Sequence, residues 1–388
     1  MFLCRATIAL FLIVLTSACF AQDGTITVNL SYKVVLNPAD GTRPPGATDA
    51  AIDQAVTGMN TLYQAYFRGY SFRRVDPITQ VGGRSDTTGP SQWYNTNFFA
   101  SDGTTQRTRM EAAARSDARY AWNNNAVNIY LVNGICGGLC SFPTADNIVL
   151  IGGCSAGTAS TQLHEIGHYF NLCHTQGCPC GCCGTGSGQC NTPGDDGIAD
   201  TLPDLACWSR DQIAQNSFGG RTYAQLNPSE QSQVDNVFQN LMSYHGTTCG
   251  NGGSQTRLTE LQLDRWADAN PNRLNATGGR RTRFVQVGAN GSGSSTNPFG
   301  SVQNAVNAST AGDIILLRPG SYNEIITINR AVTLRVSRRG PVVIGTSRPP
   351  SLGATPSQEE IDAALAKLLG MGGQGTGERL EFPGADRE

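Results

Sequence analysis

"TQLHEIGHYFNLCHT", residues 161–175, carries three of the chain's four histidines. Its spacing decides what the surrounding sequence must build. With 3.6 residues per turn, a helix through 162–170 puts His164 and His168 on one face, one turn apart. Two imidazoles so placed can share one ion, and zinc is the expected one because it takes nitrogen ligands and is usually four-coordinate. Glu165 projects beside that pair, where it can hydrogen-bond a water on the metal without ligating it. His174 cannot share that face if the helix continues, so the chain must bend. Asn171 is the expected bend point, because asparagine follows glycine in tolerating the left-handed conformation that ends helices. Three histidines leave the fourth zinc position to water, the mark of a catalytic site.

Outward from this stretch, strand and helix signals alternate. "TITVNLSYKVVL" (25–36), "YSFRRV" (70–75), "AVNIYLV" (126–132) and "DNIVLIGG" (146–153) read as strands. Helical spacing runs through 48–67 with Thr48 as cap, 104–122, the stretch from about Thr158, 227–242 and 257–270. This order predicts an α/β layered domain.

The chain has 388 residues and a formal net charge of −2. That charge argues against a nucleic-acid partner, which calls for a basic stripe. Residues 1–21 read as a cleaved signal peptide: Arg5, then the short apolar "ATIALFLIVLTSA" (6–18), then a small residue at Ala21. Beyond it no apolar run is long enough to span a membrane. Export to a secreted, extracellular location is the expectation; anchoring through Cys19 is the weaker alternative. Eleven of the thirteen cysteines fall between Cys136 and Cys249. In an oxidising compartment such clustering points to disulfides. A Cys207–Cys249 pairing is one option among those the spacing leaves open, and the dense run 178–190 reads as disulfides ahead of a second metal.

"HEIGHYFNLCH" resembles the metzincin pattern H-E-x-x-H-x-x-G-x-x-H, with Asn171 where the pattern has glycine. "NLMSYH" resembles the Met-turn that follows it. The resemblance implies that Met242 floors the metal site and that Tyr244 approaches the metal or the transition-state oxyanion. Within the metzincins, the chain resembles the pappalysin family over roughly residues 28–272. "VNIYLV" and "DNIVLIGGCS" resemble its central and edge strands, "DDGIADT" (195–201) a loop after the third histidine, and "RLTELQLDRW" its C-terminal helix. Leu202 stands where that loop motif has proline. The resemblance implies a zincin-like catalytic domain over 22–275, with a twisted mixed sheet and an active-site helix. It further implies zinc held by His164, His168 and His174, secretion, and endopeptidase activity on a protein or peptide substrate with Glu165 as general base. It gives the edge strand the task of pairing with an extended substrate.

Asp195, Asp196, Asp200 and Asp204 lie in a glycine-containing loop. Asp195, Asp196 and Asp200 are candidates for a calcium site, and a solvated or capping role fits them equally. His245 reads as a histidine without a catalytic task. From 281 to 346 short β runs resemble the first coils of a pectin-lyase-like parallel β-helix, a small β-rich segment with room for one or two coils. Residues 347–388 are Pro/Gly-rich around one amphipathic piece and read as a disordered tail. A carbohydrate-binding or carbohydrate-active role for the β-rich segment is the alternative function. Spacing does not give the oligomeric state.

Overall fold

A ten-residue strand, β1 (Ile26–Val35), forms the spine of the protein. The computed structural model describes residues 25–140, 147–176, 196–245, 249, 254–269, 274–337 and 340–345. The signal reading at 1–21, Cys19, the cysteine run 178–190, Asp195 and the tail from 347 lie outside the described residues.

Seven elements follow β1: helix α1 (Asp49–Gln64), strands β2 (Tyr70–Arg74) and β3 (Thr79–Val81), helix α2 (Gly103–Ser116), and strands β4 (Val127–Val132), β5 (Gly138–Cys140) and β6 (Ile148–Gly152). The sheet order is β2-β1-β4-β6-β5, with β3 pairing the far end of β1. All pairs are parallel except β5–β6. The antiparallel β5 is therefore the edge, and the "DNIVLIGG" strand taken for an edge is internal. The sequence reading missed β5 because three residues, two of them Gly138 and Cys140, carry no alternating pattern.

Strand alternation sorts the core into two layers. Val28, Leu30, Tyr32 and Val34 of β1 face the same way as Val127, Ile129 and Leu131 of β4, and they bury against α1 and the next helix, α3 (Ala159–Tyr169). Tyr130, Val132, Ile148 and Leu150 face the other side, where Met110 and Ala114 of α2 cover them. Helix α1 begins at Thr48, whose Oγ1 accepts from the Ala51 N–H at 3.1 Å. It buries Ile52, Ala55, Met59 and Tyr63, and Gly58 lets it close on α3 at Ala159. The helical pattern at 104–122 stops at Ser116 and gives way to a 3-10 turn, Ala118–Tyr120. There Asp117 turns extended and caps with its carboxylate.

One charge lies within the second layer. Lys33 is fully buried on β1, where its Nζ donates to Ser31 Oγ at 2.7 Å and to Asn128 Oδ1, with the Tyr130 ring 5.5 Å away. Burial pulls its ammonium down to about 7, against the opposing pull of Asp76.

After α3 come α4 (Arg210–Ser217), α5 (Pro228–Phe238), α6 (Glu260–Ala269) and α7 (Leu274–Thr277). The pattern expected to run to 242 ends at Phe238, because Asn240 turns the chain into a tight loop. The β-rich segment follows: β7 (Thr282–Val285), α8 (Val302–Ala308), β8 (Ile314–Leu317), β9 (Gly320–Tyr322), β10 (Thr333–Val336) and β11 (Val342–Ile344). Its ladders, β10-β8-β7 and β11-β9, are all parallel. The segment is joined closely to what precedes it. Ile314 belongs to the main core cluster, and Arg318 reaches Asp264 of α6 at 3.3 Å. Asp264 also pairs with Arg68 at 2.7 Å. No helix among the described residues is long and apolar enough to cross a membrane.

Two outcomes follow for stability. Ile314→Ala should lower the unfolding free energy by about 2–5 kcal/mol, the usual effect of truncating a buried isoleucine; denaturant titration of the intact chain measures it. Lys33 has a folded pKa near 7 against an ordinary 10.5. Between those values the unfolded chain binds the extra proton, so stability rises with pH across that window and is flat below it for this group. Melting curves from pH 7 to pH 10 should show that rise, and Lys33→Met should remove it.

Candidate metal centre

The zinc-type helix α3 ends where the sequence demands. Asn171 has φ +68°, the Leu172 N–H donates to Gly167 O and the Asn171 N–H to His168 O, both at 2.9 Å. These are the two bonds of a Schellman turn. The turn swings the chain back so that His174 joins His164 and His168. It also delivers the Leu172 carbonyl to His168, whose Nδ1 donates to it at 2.7 Å. His164 Nδ1 donates likewise to the Leu241 carbonyl at 2.6 Å.

A carbonyl oxygen can only accept, so these partners fix the proton on Nδ1 and leave Nε2 with its lone pair. The three Nε2 atoms form a triangle with edges of 3.1, 3.1 and 3.0 Å. Burial drives His164 down to about 4 and His168 to about 3, with His174 well below its usual value. The rings are thus neutral, and the two carbonyls turn the Nε2 lone pairs of His164 and His168 toward Nε2 of His174. That arrangement is stable around a cation. A tetrahedral ion with nitrogen ligands at about 2.0–2.1 Å sets them roughly 3.3 Å apart, close to the observed edges. Among the described residues this is the only cluster of three or more candidate ligands. The donor set fits zinc.

Glu165 is buried, 5 % exposed, under β5. The Cys140 N–H donates to its carboxylate, and the Cα of Gly138 lies so near that a side chain there would strike Glu165. Burial pushes the carboxyl up to about 8; the Cys140 bond and the Arg107 guanidinium act the other way. A cation at the histidines would lower it further. Sequence reading placed Glu165 but missed these neighbours, since contact across 25 residues leaves no local signal.

Met242 is fully buried beneath the centre. Its Sδ would lie 2.6 Å from a Cβ at position 167, so Gly167 is what lets the methionine close on the helix. The turn carrying Met242 is built on Asn240. The Asn240 side chain accepts from the Met242 N–H at 2.9 Å and donates to Gln262 of α6 at 2.9 Å. Tyr244 is the one partly exposed residue of the run 241–245, and its ring centroid lies 4.5 Å from that of His174.

Two aspartates of the acidic loop carry hydrogen bonds to other parts of the site. Asp196 accepts from Gln262 Nε2 at 2.9 Å and from the Ile198 N–H at 3.1 Å, bracing the same turn. Asp200 accepts from the Leu261 N–H at 3.0 Å, at the start of α6. These contacts at Asp196 and Asp200 are of the capping and bracing kind, and Asp195 lies outside the described residues. His245 is buried and bonded to Asp204, 2.6 Å from Nε2 to Oδ2. Cys207 and Cys249 form a disulfide, as do Cys136 and Cys154, a pair not singled out from spacing. Cys173, beside the third histidine, is disulfide-bonded too.

Fold and site together define a mixed α/β protein with a three-histidine centre ready for a metal. Among solved structures the chain is similar to mirolysin. A Tannerella forsythia mature mirolysin in complex with a cleaved peptide shares 17% identity over 66% of this chain and 96% of that one, with a TM-score of 0.36. A Tannerella forsythia promirolysin mutant shares 18% over 66% and 85%, TM-score 0.41, and mirolysin in complex with compound 9 shares 18% over 66% and 96%, TM-score 0.38. At such identities and scores the likeness assigns no family. No protein-family model matches the chain, and no curated protein matches it.

Substitution at the turn should separate its backbone role from side-chain chemistry. Asn171→Gly keeps the left-handed residue and should hold stability within about 1 kcal/mol. Asn171→Val should cost roughly 1–2 kcal/mol and weaken zinc binding, because the Leu172 carbonyl leaves His168. Chemical denaturation and competition with a chromophoric chelator read the two effects.

Proposed function

We propose that this chain is a zinc-dependent metalloendopeptidase of the pappalysin kind, exported and acting on protein or peptide substrates. One observation carries the reading. Three histidine Nε2 atoms meet within 3.0–3.1 Å of one another, and a buried carboxylate stands on the adjacent helical position. A structural site would fill its fourth ligand position from the protein, and among the described residues three imidazoles alone meet here.

His164, His168 and His174 would hold the ion. A bound zinc supplies a polarised substrate carbonyl and water of lowered pKa. Glu165 takes the proton of the attacking water and hands it to the leaving amine. The Cys140 N–H and the backbone at Gly138 hold that carboxylate in place, so it need not reorganise. The Tyr244 ring lies 4.5 Å from that of His174, and its phenol would steady the oxyanion of the tetrahedral state. The edge strand β5 offers main-chain groups to an extended peptide, because among the described residues it pairs with β6 alone. Two disulfides between described cysteines support an oxidising compartment.

Glu165→Gln keeps the volume and removes the base. It should reduce peptide hydrolysis at least about a hundredfold while one zinc per chain is retained. Digestion of a peptide library, paired with metal analysis of the same sample, provides the check; turnover surviving in the variant would contradict the mechanism.

A further inference from the structure

Behind Tyr244 lies a polar pair that the proposed chemistry does not use. Asp204 and His245 are 41 residues apart, fully buried, and joined at 2.6 Å. The same Asp204 oxygen lies 3.3 Å from Thr175 Oγ1, and Thr175 directly follows the third histidine. The Thr175 N–H in turn donates to the Met242 carbonyl at 3.2 Å. The His245 ring stacks on Phe238 at the end of α5, centroids 5.4 Å apart and planes 16° off parallel. Tyr244 is therefore flanked by two anchored residues. On one side Ser243 donates from Oγ to Asn240 O at 2.9 Å; on the other His245 is tied through Asp204 to the chain bearing His174.

This pair is a poor device for stability alone. Among the described residues, Asp204 Oδ1 and His245 Nδ1 are buried without hydrogen-bond partners. Each such atom carries a desolvation penalty, and well-packed apolar residues often replace a buried pair with no loss of stability. What an apolar pair cannot supply is direction: one hydrogen bond fixes the rotation of the His245 ring and the backbone beside it. We propose that the buried Asp204–His245 pair is a positioning device that fixes Tyr244 against the third histidine. Its effect on turnover rests on the peptidase reading above; its effect on the tyrosine ring does not.

The test combines two readouts on the full chain. In the metal-free protein, 3-fluorotyrosine at position 244 reports ring order by 19F NMR. In the zinc-loaded protein, kcat and KM for a peptide substrate are measured. The double variant Asp204→Leu with His245→Phe keeps the apolar contact to Phe238 and should be as stable as the parent. Its 19F line should shift or broaden, and kcat should fall roughly tenfold or more with KM and zinc content unchanged. Asp204→Asn retains an acceptor and should restore most of both signals. In a Tyr244→Phe background the double variant should cause no further loss of kcat. An unchanged 19F line in a folded double variant overturns the proposal, as does an equal loss of kcat in both backgrounds. If the double variant does not fold, a 19F line identical in Asp204→Leu alone overturns it, and a broadened one supports it. Full kcat in Tyr244→Phe would remove the tyrosine from the chemistry, while the 19F comparison would still decide whether the pair orders the ring.

Discussion

Three neutral imidazoles held with their Nε2 atoms 3.0–3.1 Å apart are the constraint on which the rest of the site depends. Two backbone carbonyls fix the rings of His164 and His168 in this triangle. One comes from Leu172, just past the end of α3, and the other from Leu241, just before Met242. Each carbonyl is fixed by its own structure, a Schellman turn in the first case and the Asn240-braced loop in the second. The metal centre is thus aimed by backbone groups far apart in sequence, and the sheet and α6 exist in part to keep those groups in register.

The centre also explains residues that carry no chemistry. Gly167 admits the Met242 sulfur, and Gly138 admits Glu165 beneath the edge strand. Asn240, Gln262 and Asp196 form one hydrogen-bonded series that sets the height of the methionine turn. Trp266 of α6 stacks on Phe170, 4.5 Å between centroids, and so supports the end of α3 from below. The β-rich segment enters this scheme through Ile314 in the core and Arg318 on Asp264. Its strands pair in parallel, and Ile314 packs in the same core cluster as Leu163 and Ile166 of α3.

Much of this was legible before any coordinates. The four-residue histidine interval specified one helical face, and the six-residue interval required a bend that Asn171 supplies at φ +68°. Strand β1 is legible from its alternation, β4 and β6 from apolar runs, β2 from "YSFRRV", and α1 from helical spacing behind its Thr48 cap. What stayed hidden has a common cause. The edge strand β5 is too short to show a period. The Asp204–His245 bond and the Glu165–Cys140 contact join residues 41 and 25 positions apart, and no local pattern encodes such pairings. For Asp196 and Asp200 the sequence leaves calcium binding and a capping role equal, because their partners on α6 lie more than 60 residues away.

The central claim is that these histidines, and not the cysteine-dense run at 178–190, hold the metal. X-ray absorption at the zinc edge of the purified, zinc-loaded chain tests it most directly. One zinc per chain is expected in a shell of nitrogen and oxygen at about 2.0–2.1 Å, with three imidazole signatures. A shell dominated by sulfur at about 2.3 Å, or no stoichiometric zinc at all, would contradict it.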